Sequence, residues 1–431
     1  MNKLKKAVHI YRNQGLKSLA AKTGRYAGKR LHGAKRRILK RRETVDEKAL
    51  REEYSFVSNS IFQVTSEDIT ASQKACVGPT PTIKTATWFI PYYAHFGFNG
   101  IQTMFRFIQK LSEEGVLNRI VIYDNPAFQP SQLEAEMQRD FPGITNYEIV
   151  VFDEDKEAGI AALPPSDIAF CTFWVSAYLL LRFNQTKRKY YFIQDYEPDF
   201  YPAGATSALA QSTYRFGFRG VVNTPGLLAA LNQRHGLEGI SFIPAVNHAL
   251  YYPAPKKHNK RTRIFMYARP YNPRNAFNLG IQTVQLLLER YGKKIEIITA
   301  GADWDEHMYG LHGKITNLGL LKSLEEVAAL YRTCDIGFSY MLTPHTSYQM
   351  QEYSASGMAT VMNKNEDHGW LNKDGVNCLL AEPSPADMAE KIGRLVDDPH
   401  LRKRLVAAAQ KELGYTWEQQ FDALWNNIRA L

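Results

Sequence analysis

Cysteine is scarce in these 431 residues: Cys76, Cys171, Cys334 and Cys378 stand far apart, and none forms a C-x-x-C pair. That spacing argues against a disulfide scaffold and a zinc site, and it fits a reducing compartment. Long apolar runs are lacking too. No stretch of eighteen apolar residues occurs, so no bilayer-spanning helix is expected. The N-terminus has no apolar core of the kind a secretory signal carries, which points to the cytoplasm. No G-x-G-x-x-G is present, which disfavours a nicotinamide cofactor. Acid is missing from residues 1–42, which hold 15 Lys and Arg; the remainder has 38 basic against 43 acidic residues. The net charge of +10 therefore belongs to one arm on a mildly acidic body.

What is present is a globular composition, 45% hydrophobic and 12% aromatic, with length for two core-bearing domains. The arm interleaves its cations with Leu4, Val8, Tyr11, Leu16 and Leu19, as short amphipathic helices on an anionic membrane surface would. A solvated, disordered arm fits the same pattern. Nucleic acid is disfavoured, because the body offers no basic and aromatic platform. Residues 43–53 turn acidic, and 54–85 read as an irregular connector ending at Pro79 and Pro81.

From Trp88 a strand rhythm begins: Trp88–Ile90, Arg119–Tyr123, Tyr147–Phe152, Asp167–Phe173, Tyr190–Ile193, Gly220–Val222 and Ser241–Ile243, with helical stretches between. A proline-marked connector follows Ile243. A second rhythm then has strands at Arg263–Tyr267, Lys294–Thr299, Asp335–Phe338, Ala359–Met362 and Cys378–Leu380. Trp417, Phe421, Leu424, Trp425 and Ile428 mark a last amphipathic helix. The expected class is α/β: two doubly wound, Rossmann-like domains whose ligands bind in the cleft beyond the strand C-termini. The boundaries are an arm over 1–53, an N-terminal domain over 54–247 completed by 415–431, and a C-terminal domain over 248–414.

Four constellations carry chemistry. Arg269 and Arg274 follow the strand ending at Tyr267 and are flanked by Pro270 and Pro273, before a helix starting at Asn275–Phe277. Two guanidiniums at a strand end suit a diphosphate, which they can clamp and whose departure they can stabilise. Next, a hydroxyl-rich turn ending at His345, Thr346 and Ser347 leads into a helix from Tyr348 that stops at Gly357 and carries Glu352. A helix mouth after a strand end favours a phosphate, and Glu352 can accept sugar hydroxyls. Third, the loop after the first strand holds Tyr92 and His95, with Gly97 and Gly100 permitting close backbone approach before a helix. Fourth, Gln194–Pro202 packs Asp195, Tyr196 and Glu197 into one loop, and aromatic faces beside carboxylates suit a sugar. Asp195, nearest the strand end, is assigned to activate or orient an acceptor hydroxyl. Asp153-Glu154-Asp155 and Asp303-Trp304-Asp305 match the D-x-D metal pattern, but three residues carry little information in a chain with 43 acids. No metal and no cofactor is expected, since the arginines can balance the diphosphate.

Together these pieces resemble family 4 of the GT-B glycosyltransferases over roughly residues 86–431. That family places a basic pair five residues apart after the first C-domain strand, normally Arg then Lys; here they are Arg269 and Arg274. Its glycine-containing loop is matched by Gly97 to Gly100, and the second of its two glutamates, eight positions apart, by Glu352. The first falls on Pro344, which leaves His345, Thr346 and Ser347 as alternatives for meeting the donor sugar. More narrowly, Tyr267-Ala268-Arg269-Pro270, Pro273-Arg274-Asn275-Ala276-Phe277 and Phe192-Ile193-Gln194-Asp195-Tyr196-Glu197-Pro198 resemble WsaF-type rhamnosyltransferases of bacterial S-layer glycan synthesis. The resemblance implies a dTDP-rhamnose donor, a rhamnan-like acceptor and a retaining, metal-independent transfer. The expected partners are a nucleotide-sugar donor, a glycan or lipid-linked glycan acceptor and, through the basic residues 1–42, an anionic surface at the inner face of the cell membrane. It also implies a terminal helix that crosses back to the N-domain. Donor contacts would come from Arg269, Arg274, His345, Thr346, Ser347, Tyr348, Glu352 and Gly100, and acceptor contacts from Tyr92, His95, Asp195, Tyr196 and Glu197. The alternatives are another nucleotide-sugar donor, a sugar-nucleotide epimerase and a non-catalytic nucleotide-sugar-binding protein.

Overall fold

A computed structural model describes residues 45–76, 82–92, 99–256, 260–366 and 370–430. The chain divides into two units, Met1–Ser58 and Asn59–Leu431. The described part of the first is a helix, Val45–Val57, in which Lys48 and Glu52 pair at 3.5 Å one turn apart. The boundary expected at 53/54 falls inside it. The basic stretch 1–42 lies outside the described residues.

In the second unit, the stretch read as a connector folds instead. Ile61 and Phe62 are buried, and the Phe62 ring stacks on Trp174 at 5.4 Å. The helix Ser66–Ala75 starts from a capping box: Thr65 Oγ1 accepts the Asp68 N–H, and Asp68 Oδ2 accepts the Thr65 N–H. Its Ser72 lies buried and accepts the Lys189 ammonium at 2.7 Å. A helix whose inward side chain is a serine has no apolar stripe to announce it.

Seven parallel strands make the first sheet, β1 (Thr85–Ile90), β2 (Leu117–Ile122), β3 (Tyr147–Val151), β4 (Ser166–Cys171), β5 (Thr186–Ile193), β6 (Arg219–Asn223) and β7 (Gly239–Phe242), in the order β3-β2-β1-β4-β5-β6-β7. Parallel strands covered on both faces must be apolar along their length, and β1 is buried from Ala86 to Ile90. Trp88 stacks on Phe170 at 4.0 Å, and its indole N–H donates to Asn118 at 3.0 Å, so the one polar atom of the ring is satisfied inside the core.

The second sheet has six parallel strands, β8 (Thr262–Tyr267), β9 (Ile295–Ala300), β10 (Thr316–Asn317), β11 (Ile336–Ser339), β12 (Ala359–Asn363) and β13 (Leu379–Ala381), ordered β10-β9-β8-β11-β12-β13. β10 spans two residues and has no counterpart in the strand rhythm of the sequence. The expected helix start at Asn275–Phe277 is also refined. Pro273–Asn275 is a tight 3-10 turn, Ala276 turns the chain at φ 43°, and the helix runs Phe277–Tyr291. The last helix, Trp417–Ala430, returns to the first sheet's core, burying Phe421, Leu424, Trp425 and Ile428 beside Phe107 and Phe242. In each sheet the strand order reverses direction beside the first strand, β1 or β8, where a crevice opens at the C-terminal edge.

Candidate active site

The crevices of the two lobes face one cavity of about 810 Å³. From the first lobe it is lined by residues that follow strand ends, Thr172 and Phe173 after β4 and Gln194 and Asp195 after β5, together with Gly100 on the helix Asn99–Glu113. From the second lobe come Arg269 and Arg274 after β8, Met341 after β11, and His345, Ser347, Tyr348 and Glu352 around the helix Tyr348–Ala355. The fold therefore brings together most of the residues singled out from the sequence.

Their local chemistry differs from one to the next. Arg274 forms an ion pair with Asp195 across the cleft, Nη1 against Oδ2, and its guanidinium lies 4.6 Å from the centre of the Phe200 ring. Its loop is pinned, because the Leu342 N–H donates to the Arg274 carbonyl at 2.9 Å and Asn275 Nδ2 donates to the Tyr340 carbonyl at 3.2 Å. Arg269 is half-buried, with Nη1 3.4 Å from the Tyr267 hydroxyl. The helix Tyr348–Ala355 has no side-chain N-cap bond; Ser347 Oγ turns instead to Gln349 Oε1. Its mouth thus presents main-chain donors rather than a capping oxygen. Glu352 is buried, and its negative charge, after burial itself, holds the Tyr251 hydroxyl protonated well above its ordinary range. Gln194 Nε2 donates to the Gly100 carbonyl at 2.8 Å; a Cβ on Gly100 would press this amide at 3.4 Å.

Glu197 reaches the cavity with a buried carboxyl whose Oε2 accepts the Trp174 N–H at 2.6 Å and the Tyr191 hydroxyl at 2.8 Å. Burial pushes its pKa up to about 8, with the neighbouring Asp195 charge adding to the rise. It is a neutral acid at pH 7, beside an ionised pair.

Three expected contacts lie elsewhere. Tyr196 is in the core and not on the cavity wall: its hydroxyl bonds His235 Nε2 at 2.9 Å, and its ring stacks on Tyr214. The reason is the 3-10 turn Glu197–Phe200, which leaves Asp195 and Phe200 at the cleft while sending Tyr196 inward. Tyr92 is 42% exposed but outside the cavity lining, its N–H on Asp124 at 2.6 Å and its ring against Phe128. Thr346 is fully buried behind the wall, its hydroxyl accepting Asn372 Nδ2 at 3.3 Å. His95 and Gly97 lie outside the described residues. In the two D-x-D segments, Asp155 Oδ1 accepts the Ala158 N–H and caps the helix Lys156–Ala162, Asp305 Oδ1 accepts the His307 N–H and caps a 3-10 turn, and Asp303 lies on the cavity wall. Among the described residues no group of three His, Cys, Asp or Glu side chains is arranged to hold a metal ion.

The cavity also uses residues that the sequence reading missed, chiefly Tyr251, Tyr267, Tyr271, Gly301 and Leu321. Gly301, at φ 133°, carried the one available signal: a Cβ there would meet the Ala268 carbonyl at 2.7 Å, so the chain can pass only as glycine.

Comparison with known proteins settles the lineage. Family models match over both lobes, the WsaF N-terminal domain at residues 92–223 and the WsaF C-terminal domain at residues 262–393. The chain belongs to the WsaF family. It is 38% identical over 366 residues to the O-antigen biosynthesis protein RfbC of Myxococcus xanthus, a match that takes in 84% of this chain but 28% of that relative. Sucrose-phosphate synthase from Thermosynechococcus elongatus superposes with a TM-score of 0.62 at 13% identity, covering 80% of this chain and 98% of that one. Anabaena Alr3699/HepE, solved with UDP and glucose, gives a TM-score of 0.61 at 13% identity over 81% of this chain and 100% of its own. These neighbours show that the chain has the two-lobed GT-B fold. Among the described residues no helix is long and apolar enough to cross a membrane.

Proposed function

We propose that this WsaF-family chain transfers L-rhamnose from dTDP-rhamnose to a glycan or lipid-linked glycan during assembly of a cell-surface polysaccharide, with retention of anomeric configuration and without a catalytic metal. The observation that carries the reading is the meeting, in one cavity, of Arg269 and Arg274, the mouth of the helix Tyr348–Ala355, and an Asp195 carboxylate from the opposite lobe. Cations and helix N–H donors on one wall hold the diphosphate. The carboxylate on the other wall meets an acceptor hydroxyl. The glycan-building relative and the neighbour solved with UDP and glucose support a nucleotide-sugar donor.

In this transfer the acceptor oxygen bonds to the anomeric carbon as the bond from that carbon to the phosphate oxygen breaks. The electron pair leaves on the phosphate, which takes the acceptor proton, so Asp195 orients the hydroxyl. Arg269 and Arg274 stabilise the charge that develops on the leaving group, the task a divalent metal performs in other enzymes. Glu352, with Tyr251 beside it, accepts hydroxyls of the ribose or the sugar. The basic residues 1–42 hold the enzyme at the cytoplasmic face of the membrane.

The test is transfer itself. Labelled dTDP-rhamnose, UDP-glucose and GDP-mannose are incubated with and without a rhamnan acceptor, with EDTA present throughout. Label is expected in the polymer from dTDP-rhamnose alone, with the anomeric configuration of the donor. Conversion of the nucleotide sugar without acceptor would mean an epimerase, and binding without turnover a non-catalytic protein. Arg269→Ala is expected to lower turnover by about 100-fold with an unchanged melting midpoint; unaltered turnover would remove Arg269 from the site.

A further inference from the structure

The pairing of Arg274 with Asp195 has a consequence for the order in which substrates bind. We propose that Asp195 and the donor's diphosphate compete for Arg274, so that the donor must bind first and, in binding, releases the carboxylate that receives the acceptor. The inference rests on the nucleotide-sugar reading of the cavity.

Both Asp195 oxygens are engaged. Oδ1 accepts the Tyr196 N–H at 2.8 Å, and Oδ2 takes the Arg274 guanidinium. Asp195 is nearly buried and each of its oxygens already has a donor, so while Arg274 holds Oδ2 its charge is neutralised and the guanidinium stands where an incoming hydroxyl would approach. Arg274 is anchored differently. Its main chain is fixed by the Leu342 N–H and its guanidinium rests on Phe200, yet its Nε–H is buried with no acceptor among the described residues. A guanidinium offers five N–H donors in a planar fork, and a monodentate carboxylate uses few of them. A diphosphate carries one negative charge on each phosphate and can accept from Nε and Nη together, so it outcompetes a single carboxylate for the same cation.

Once the exchange occurs, Asp195 is a nearly buried carboxylate without its cation, and a buried charge left unpaired is costly unless new donors reach it. The donor an acceptor sugar brings is a hydroxyl. Glu197 makes this affordable, because as a neutral acid it adds no second negative charge beside the freed Asp195. Before the donor arrives, the acceptor site is masked by its own counter-ion. After the donor arrives, that site is open.

Calorimetry on the full chain tests this, using dTDP, UDP, GDP and ADP as probes at one ionic strength. The wild type is compared with Asp195→Asn, Arg274→Gln and the double variant. Asparagine keeps an oxygen for the Tyr196 N–H and removes the competing charge. Asp195→Ser repeats the comparison with a different side chain. Removing the competitor is expected to tighten binding of the preferred diphosphate about tenfold. Arg274→Gln is expected to weaken it, and the double variant to bind no tighter than Arg274→Gln alone. Tightening that persists without Arg274, or no tightening at all, would overturn the exchange while leaving the donor site standing. If none of the four diphosphates binds any of the cooperatively folded proteins, the donor site falls and the exchange falls with it. Calorimetric titration with the rhamnan acceptor gives a second reading. It is expected to bind only the dTDP-loaded enzyme, and equal affinity with and without dTDP would overturn the order.

Discussion

Glu197 sits where solvent cannot stabilise its charge, and the two groups that donate to it, a main-chain N–H and a tyrosine hydroxyl, are neutral. Burial therefore outweighs those hydrogen bonds, and the folded pKa stands at about 8 against 4.5 for the free side chain. The folded state then binds more protons than the unfolded chain between those two values. This contribution to stability is complete below about pH 4.5 and is lost as pH rises through about 8. Glu197→Gln keeps an oxygen for the Trp174 N–H and the Tyr191 hydroxyl but cannot ionise. The urea midpoint of the wild type is expected to fall relative to that of Glu197→Gln between about pH 5 and about pH 7.5. A constant difference across that range would show Glu197 to be ionised in the fold. Lys189 works in the opposite sense. Burial lowers its pKa from 10.5 to about 8, so the unfolded chain binds more protons between those values and stability climbs with pH there. Lys189→Met is expected to flatten the profile above about pH 8.5 and to leave the Glu197 window untouched.

At the scale of elements, the helix Trp417–Ala430 shows most directly what the sequence carries. Its buried residues Phe421, Leu424, Trp425 and Ile428 fall at helical spacing, and the Phe421 ring lies 5.2 Å from Phe107 and 5.7 Å from Phe242. Phe421→Ala would leave a cavity at that junction and is expected to cost about 3–5 kcal/mol in urea unfolding. A loss below about 1 kcal/mol would mean that the helix is not held by this core. Apart from β10 the strands were equally legible, since a parallel strand buried on both faces must be an unbroken apolar run. Illegible elements lacked such a pattern. β10 is two residues long, and Ser66–Ala75 buries a serine that receives Lys189, a contact 117 residues away in sequence. The site divides along the same line. Asp195, Arg269, Arg274 and Glu352 were readable because strand ends and a helix mouth announce themselves. Which face of the Gln194–Pro202 loop meets the cleft is decided by a 3-10 turn, so Asp195 and Tyr196, adjacent in sequence, part company. Tyr251, in the connector between the lobes, gave no signal because its partner Glu352 comes from a distant helix.

Across the second unit, the two lobes meet at a point that the catalytic reading alone does not require. Tyr348 opens the helix whose mouth lines the cavity, yet its buried hydroxyl bonds Thr103 Oγ1 at 2.8 Å and accepts Asn223 Nδ2 at 2.7 Å, both on the first lobe. Asn223 ends β6, and the next residue, Thr224, holds a φ of 125°, a strained geometry for a side chain branched at Cβ. That strain is tolerated while the Thr224 hydroxyl caps the following helix through the Leu227 N–H at 3.1 Å. Asn223 is thereby aimed at the opposite lobe, and one phenol oxygen ties the helix Tyr348–Ala355 to the first lobe's sheet. Removing that oxygen in Tyr348→Phe leaves a buried amide N–H without its acceptor, an expected loss of about 1–3 kcal/mol in the urea midpoint. The ring still fills its place on the cavity wall, and Arg269 and Arg274 are untouched, so dTDP affinity is expected to stay within about twofold while kcat falls. In the proposed transfer, this bond is expected to set the register between diphosphate and acceptor rather than the grip on either. Full kcat with lowered stability would reduce Tyr348 to a structural tie. A matching loss of dTDP affinity would instead make its hydroxyl a donor contact.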